Sequence, residues 1–307
     1  MLKFYYKKEI SDPFTTLSCY KDGSWIHIDE ATLVDLKSLS EIVNIEIHNL
    51  HDTLDKYEVP RIEKIKNDIL IFTRYPSEQE KGVHTATLSI LITANAIVTI
   101  CPVKCSLIEE FITQNGKLRT TDKITLFLHL FSKIMTEFSA QIKKIRTNVL
   151  LQEQDIDEDV QSEAITALTK QEGILNQYVS TLIPLREVLE SILSKKYISL
   201  GEKDQELVED LYNASIQSEE SCTINLRSIR SLRDCFQIIF TNQLNKTIKL
   251  LTGLTIIVSF PAIIASIYGM NVPLPIQHSP YAFFVVLALT IILSLSAIYF
   301  FRRKKWL

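Results

Sequence analysis

Polar side chains recur at steps of three and four along an apolar segment near the C-terminus. We call this line of seven residues the polar seam; it comprises Asn245, Ile248, Thr252, Thr255, Ser259, Ala262 and Ser266. Such spacing places all seven on one face of a helix. Hydroxyl and amide groups that face lipid are costly, so the face must meet either a neighbouring helix or water. Close packing of small residues accounts for the spacing, and so does an aqueous path enclosed by several copies of the helix. Continuation of the line to Asp234 favours the aqueous path.

The two ends of this segment carry residues with distinct chemistry. At the outer end, Gly269, Met270 and Asn271 precede Val272-Pro273, and the glycine and proline together end the helix. The last backbone carbonyls and the Asn271 amide oxygen are then left facing the mouth, which predicts a selectivity filter for a cation at Gly269, Met270 and Asn271. At the inner end, Ile248 and Leu251 are predicted to form an apolar gate that closes by dewetting.

Two apolar segments, 248–268 and 281–301, are each long enough to cross a bilayer, because about 1.5 Å per residue gives roughly 31 Å. The loop at 269–280 has no lysine or arginine, whereas a basic tail, 302–307, follows the second segment. The positive-inside rule therefore predicts two transmembrane helices, both termini in the cytoplasm and an external loop. We expect the protein to lie in a cell inner (plasma) membrane and to cross it twice. Pro261 in the first span fits both a fixed kink and a hinge.

Composition restricts the rest of the chain. A net charge of −3 is unlike that of a nucleic-acid binder, seven glycines in 307 residues favour long helices, and five scattered cysteines fit reduced cytosolic thiols. Strand-like and helical runs alternate over 1–120, and long helical periodicity occupies 121–247. We predict an α+β membrane protein with an N-terminal α/β cytoplasmic domain, a coiled-coil-like helical stalk and two C-terminal spans. The stalk is expected to fold back near 162–173, and a helix starting near Glu202 is expected to continue into the first span.

Gly269-Met270-Asn271 at the end of the penultimate span resembles the signature of the CorA family of divalent cation channels. Other segments resemble that family too: Trp25 to Asp29, Val59 to Glu63, Pro184 to Val188 and Lys304 to Leu307. The resemblance implies a homopentameric funnel in a lipid bilayer that carries Mg2+, with Co2+ and Ni2+ as further cargo. The family's pore line falls on Asn245, Ile248, Thr252, Ser259 and Asn271, which agrees with the polar seam.

The resemblance also implies a regulatory role for Mg2+. An acidic stalk residue that binds metal between subunits corresponds to Asp210, and its partner loop lies near Glu78; Asp234 is a third candidate ligand. Cytosolic Mg2+ bridging neighbouring subunits would hold the stalk closed. One departure from the family is an external loop without any carboxylate, in which His278 could make cation entry sensitive to pH.

No energy-coupling machinery is visible in the sequence. There is no phosphate-binding loop, and neither span contains a carboxylate to relay protons. Two charges moving through 100 mV gain about 4.6 kcal/mol, which supports roughly thousandfold accumulation without coupling. We therefore predict passive transport with no organic cofactor. The partners predicted are other copies of the chain, the bilayer and divalent cations, with no nucleic acid.

Two alternatives stay open at the level of the sequence. A relative in the same superfamily moves Zn2+, with proton coupling as a further option, and shares the Gly-Met-Asn ending. In a different class, the spans would only anchor a sensor or scaffold. An enzyme is not indicated, because no nucleophile and base stand together in a recognisable motif.

Overall fold

A computed structural model describes residues 2–9, 14–80, 82–114, 118–154, 162–276 and 278–306, with the side chains of 78–80, 114, 154 and 162 excluded. The chain divides into two compact units, one ending at Leu232 and the other beginning at Arg233.

Over the described residues, the first unit contains one mixed sheet of seven strands. In chain order these are β1 (Leu2–Tyr6), β2 (Thr15–Leu17), β3 (Trp25–Ile28), β4 (Arg61–Ile65), β5 (Asp68–Glu80), β6 (Val83–Ile92) and β7 (Ile97–Ile100). Their order across the sheet is β2-β1-β3-β7-β6-β5-β4. Only β3 and β7 pair in parallel, and all other neighbours are antiparallel. Two parallel neighbours need a long connection between them. Here the connection from β3 to β7 contains a helical segment, β4 and the β5–β6 hairpin.

The core lies where the central strands meet the first helix, α1 (Leu33–Val43). Ile26 and Val98 on the parallel pair and Leu36 and Leu39 on α1 are fully buried in one cluster. Thr32 starts α1 with a capping box, in which Asp35 N–H donates to the Thr32 hydroxyl and the Asp35 carboxylate accepts from Thr32 N–H. Such a cap satisfies donors that the first turn would leave unpaired. After a turn at Asn44, a 3-10 helix follows over Ile47–Leu54.

Besides α1 and the 3-10 helix, the described part of this unit contains three α-helices and the beginning of a fourth. They are α2 (Ser106–Gln114), α3 (Lys123–Gln154) and α4 (Ser162–Leu193), and α5 begins at Glu202. The reversal expected at 162–173 does not lie in that range, because these residues form the first turns of α4. Helices α3 and α4 do pack against each other, as the expected hairpin requires, with the ring centroids of Phe138 and Tyr178 5.2 Å apart. Gly173 does not break α4: one glycine costs about 1 kcal/mol, and buried Leu168, Leu175 and Tyr178 offset that cost by packing.

Polar contacts fix the N-terminal part of α5 against the helices beside it. Arg186 on α4 donates to the Glu219 carboxylate at 2.5 Å, and Arg230 donates to Glu172 at 3.0 Å. Val208 and Leu211 are buried on the same stretch of α5. Tertiary packing therefore supplies stability that helix propensity alone would not provide.

The second unit is built from the C-terminal part of α5 and from α6. Helix α5 runs without interruption from Glu202 to Tyr268, which confirms the expected continuous helix, and α6 spans Ala282–Arg303. Both contain a stretch apolar and long enough to cross a membrane, and 6% of each stretch is buried. An apolar surface left this open is what a bilayer would cover.

Three side chains on β3 and β7 form a buried polar contact at the centre of the sheet. Thr99 Oγ1 lies 2.9 Å from Trp25 Nε1 and 2.9 Å from His27 Nδ1. Burial lowers the pKa of His27 to about 4, and the Asp29 carboxylate opposes this only in part. The imidazole is therefore neutral at physiological pH.

His27 is expected to make the stability of the first unit depend on acid pH. Its folded pKa lies below the unfolded value, so the unfolded chain takes up a proton first as the pH falls below 6.5. Between pH 6.5 and 4 this costs the folded state about 3 kcal/mol. Denaturant unfolding of the full chain in detergent, at pH 7 and at pH 4, should show that loss in wild type and a much smaller one in His27→Gln. Equal losses in both proteins would contradict this assignment.

Candidate pore

The polar seam lies on an open face of α5 within the second unit. Six of its seven residues are exposed, and Ser259 is half-buried. In one chain these residues are therefore available to a second copy or to water. The remaining exposed surface of this part of α5 is largely apolar, for example Leu254 and Val258.

Helix α6 packs on a different face of α5. Gly253 is buried there, with the Phe301 ring of α6 against it, and half-buried positions continue along the same line at Ile257, Phe260 and Ile264. At 100° per residue, this line lies about 150° around the helix from the centre of the seam. The chain's own second span therefore leaves the seam uncovered.

Two hydroxyl groups of the seam, those of Thr255 and Ser259, donate their hydrogens to the helix backbone. Thr255 Oγ1 donates to the Leu251 carbonyl at 2.8 Å, and Ser259 Oγ donates to the Thr255 carbonyl at 2.7 Å. The oxygen lone pairs are left to accept hydrogen bonds from outside the helix. Such a surface suits water molecules held by a cation, because those waters present their hydrogens outward.

Helix α5 continues through Pro261 and ends at Tyr268. Proline has no N–H, so the carbonyl of Ile257 loses its usual partner one turn earlier. At the outer end, Gly269 N–H donates to the Ala265 carbonyl at 3.0 Å and Met270 N–H to the Ile267 carbonyl at 3.2 Å. A Cβ atom at Gly269 would lie 3.2 Å from the Ala265 oxygen, so a side chain there would be crowded.

The filter and gate candidates are exposed at opposite ends of the first span. Met270 is 54% exposed and Asn271 is exposed beside it, while Ile248 and Leu251 are 50% and 55% exposed. Large apolar side chains that are half exposed in one chain are available for contact between copies. His278 in the loop is exposed as well.

The candidate regulatory ligands are not brought together by the structure of one chain. Asp210 is exposed on α5 in the first unit and Asp234 is exposed in the second, while the Glu78 side chain lies outside the described residues. Over the residues that the structure describes, no three His, Cys, Asp or Glu side chains cluster as a metal site would require. A site between subunits stays a prediction.

The family profile of CorA-like Mg2+ transporter proteins matches residues 20–303. The chain belongs to this family. Membership agrees with the resemblance seen at Gly269-Met270-Asn271 and makes divalent cation transport the class of function that the family supports. A CorA-like protein is a membrane transporter, as the two apolar helices also indicate.

Two CorA relatives match the chain over nearly its whole length. The cobalt/magnesium transport protein CorA of Methanocaldococcus jannaschii is 27% identical over 294 residues, covering 92% of this chain and 91% of that relative. The protein of the same name from Thermotoga maritima is 23% identical over 300 residues, covering 94% of this chain and 85% of that relative.

A solved structure shares the fold. The complete structure of the CorA magnesium transporter from Methanocaldococcus jannaschii superimposes with a TM-score of 0.81 at 24% identity, covering 100% of this chain and 99% of the other. The predicted fold class is thus confirmed: a soluble α/β domain, long helices and two C-terminal apolar helices.

Sequence reasoning missed the contact that Phe301 on α6 makes with α5 at Gly253. Two signals were available: Gly253 is the one glycine inside the first span, and Phe301 ends the second. Glycine inside a membrane helix commonly marks close approach of a neighbour. Only the packing shows that this neighbour is an aromatic ring.

Proposed function

We propose that this CorA-like chain assembles into a homopentameric pore that conducts hydrated Mg2+ passively into the cytoplasm. The observation that carries the proposal is the open polar seam, which runs along a continuous helix, faces away from α6 and ends at Gly269-Met270-Asn271. One helix cannot enclose water, so several copies must surround the axis. Both termini are cytoplasmic in this arrangement.

The chemistry of the seam fits a cation that keeps its water shell. Mg2+ loses water reluctantly and prefers octahedral oxygen ligation. A ring of Asn271 amides and Gly269 carbonyls is neutral and rich in acceptors, and so can bond the hydrogens of the hydration shell. Thr255 and Ser259 then offer further acceptors toward the cytoplasm. Selection would rest on the size and geometry of the hydrated ion, and Co2+ and Ni2+ form hydrated ions of similar geometry.

Entry is driven by the membrane potential and must be limited by a gate. A ring of Ile248 and Leu251 side chains closes the path when it narrows enough to lose water. Cytosolic Mg2+ held between subunits by Asp210, with Glu78 and Asp234 as further ligands, would keep the ring narrow. Loss of that metal would release the stalk and widen the ring.

Flux measurements in proteoliposomes test this proposal against its two alternatives. Mg2+ uptake should follow an imposed potassium diffusion potential, negative inside, and should be unchanged by a pH gradient. Zn2+ uptake that requires a pH gradient would instead support the proton-coupled Zn2+ transporter. The membrane-anchored sensor or scaffold predicts no uptake of Mg2+, Co2+, Ni2+ or Zn2+, and that result would overturn the proposal.

A further inference from the structure

We propose that the C-terminal end of α6 is a latch that positions the gate. The latch consists of Trp306, Phe301 and Gly253, and it connects the end of the chain to the pore helix two residues beyond Leu251. Phe301 and Trp306 are positioning residues in this view, since neither lies on the polar seam. The inference extends the proposed function from the pore lining to the element that holds it.

The last helix ends in a structure that fixes the backbone of Trp306. Lys305 adopts a left-handed conformation with φ of 56°. Lys305 N–H then donates to the Arg302 carbonyl at 3.1 Å, and Trp306 N–H donates to the Phe301 carbonyl at 3.0 Å. This pair of bonds is a Schellman motif, in which the residue after the left-handed position returns to contact the helix. The chain is thereby turned back onto α6.

The returning Trp306 side chain stacks on Phe301. Their ring centroids lie 5.4 Å apart with an interplanar angle of 27°. Phe301 is only 7% exposed, whereas the adjacent Phe300 and Tyr299 are 55% and 68% exposed. Burial thus distinguishes Phe301 from its aromatic neighbours, which face outward as membrane-interface residues do.

On its other side, Phe301 lies against the pore helix at Gly253. A Cβ atom built on Gly253 would meet Phe301 Cγ at 3.7 Å and its two Cδ atoms at 3.9 Å. Glycine lets the ring approach the α5 backbone more closely than a larger side chain would allow. Among the described residues 248–268 of the first span, Gly253 alone is buried. The ring therefore holds α5 at its most tightly covered point.

Gly253 lies within one helical turn of Leu251 and about one and a half turns from Ile248. Leu251 precedes Gly253 by two residues, and the Leu251 carbonyl accepts the hydrogen bond of Thr255 in the seam. Ile248 lies on the seam, on the side of α5 away from Phe301. Packing of the Phe301 side chain on this face of α5 therefore fixes the rotation of α5 that directs Ile248 inward. Without the stacking of Trp306 on Phe301, the turn of α5 around Gly253 could rotate. The circle of Ile248 side chains contributed by the several copies would then pack less tightly.

Accessibility of a cysteine at the gate tests the latch without relying on transport. The Ile248→Cys substitution is placed in a chain whose exposed Cys19 and Cys235 are replaced by serine; Cys101, Cys105 and Cys222 are buried. A membrane-impermeant methanethiosulfonate reagent is applied to proteoliposomes at high Mg2+. In this background, Trp306→Ala and Phe301→Ala should speed modification about five- to tenfold, as expected from loss of one aromatic contact. Trp306→Phe should keep the wild-type rate because it keeps a ring.

Two sets of variants guard against a general loss of structure. Tyr299→Ala removes an exposed aromatic from the same turn of α6 and should leave the modification rate unchanged. From the other side of the contact, Gly253→Ala places its Cβ at ordinary contact distance and should be tolerated. Gly253→Leu should displace the ring and reproduce Trp306→Ala. All variants should retain the circular dichroism of wild type.

The modification rates and the Mg2+ flux together distinguish a failure of the latch from a failure of the proposed pore. Equal rates for Trp306→Ala, Phe301→Ala, Gly253→Leu and Tyr299→Ala would overturn the latch even if Mg2+ flux is normal. Faster modification in the three latch variants together with no flux in wild type would support the latch and overturn the proposed function. Faster modification together with Mg2+ leak at high internal Mg2+ would support both.

Discussion

Replacing Asn271 with alanine is expected to reduce Mg2+ flux about a hundredfold. Each subunit loses an amide that accepts a hydrogen bond from the ion's water shell. One such bond contributes about 0.5–1.5 kcal/mol, so a ring of several subunits at the lower end of that range loses about 3 kcal/mol, which is about a hundredfold. Initial rates of Mg2+ uptake into proteoliposomes at a fixed potential measure the effect. Because Asn271 is exposed at the end of α5, the substitution should not alter folding.

Val272→Ala is the matched control for this experiment. Val272 follows Asn271 directly and is 51% exposed, but it has no amide. Its uptake rate should stay within about threefold of wild type. If Asn271→Ala and Val272→Ala conduct equally, the amide ring is not the filter, and the sensor or scaffold interpretation gains support.

The second large effect is expected from Ser259→Leu in the middle of the seam. Each copy would replace an acceptor oxygen with an isobutyl group, and the narrowed apolar ring would exclude water. We expect uptake of Mg2+ to fall about tenfold or more, since a hydrated ion cannot shed its waters at low cost. Ser259→Thr keeps the hydroxyl and should conduct nearly as wild type does.

Ala265→Leu adds apolar bulk to the same span outside the seam. Ala265 is exposed and lies about 105° around α5 from the centre of the seam. Flux in this variant should match wild type if the bulk at Ser259 acts by filling the aqueous path. A similar loss in both variants would indicate that bulk anywhere on α5 disturbs assembly, and the seam would lose its special role.

The face of α5 that carries the polar seam could be predicted from the sequence in more detail than the first unit could. Polar residues that recur every three or four positions along an apolar segment can be recognised in the sequence alone, because this periodicity determines which residues share one face of a helix. The same pattern could not tell which way that face points. That depends on where α6 packs, which is set by the fit of Phe301 against Gly253.

Other elements were hidden for identifiable physical reasons. The alternating runs over 1–120 do not show how long each strand is, and β5 extends over Asp68–Glu80 because β6 pairs with it beyond its apolar part. Arg74 is buried in that extension and donates to Thr85 and Thr87 across the hairpin. The C-terminal cap of α6 could not be predicted either. Lys305 has a left-handed backbone conformation, but a lysine does not indicate such a conformation as a glycine would.

The claim that several copies of α5 enclose water is tested most directly by cysteine modification inside the span. Ser259→Cys and Ala265→Cys are compared in the chain that lacks Cys19 and Cys235, using a charged, membrane-impermeant thiol reagent on proteoliposomes. We predict fast modification of Ser259→Cys with loss of Mg2+ flux, and no effect on Ala265→Cys. If Ser259→Cys stays unmodified while the protein conducts Mg2+, the ion takes another path and the seam is a dry packing surface.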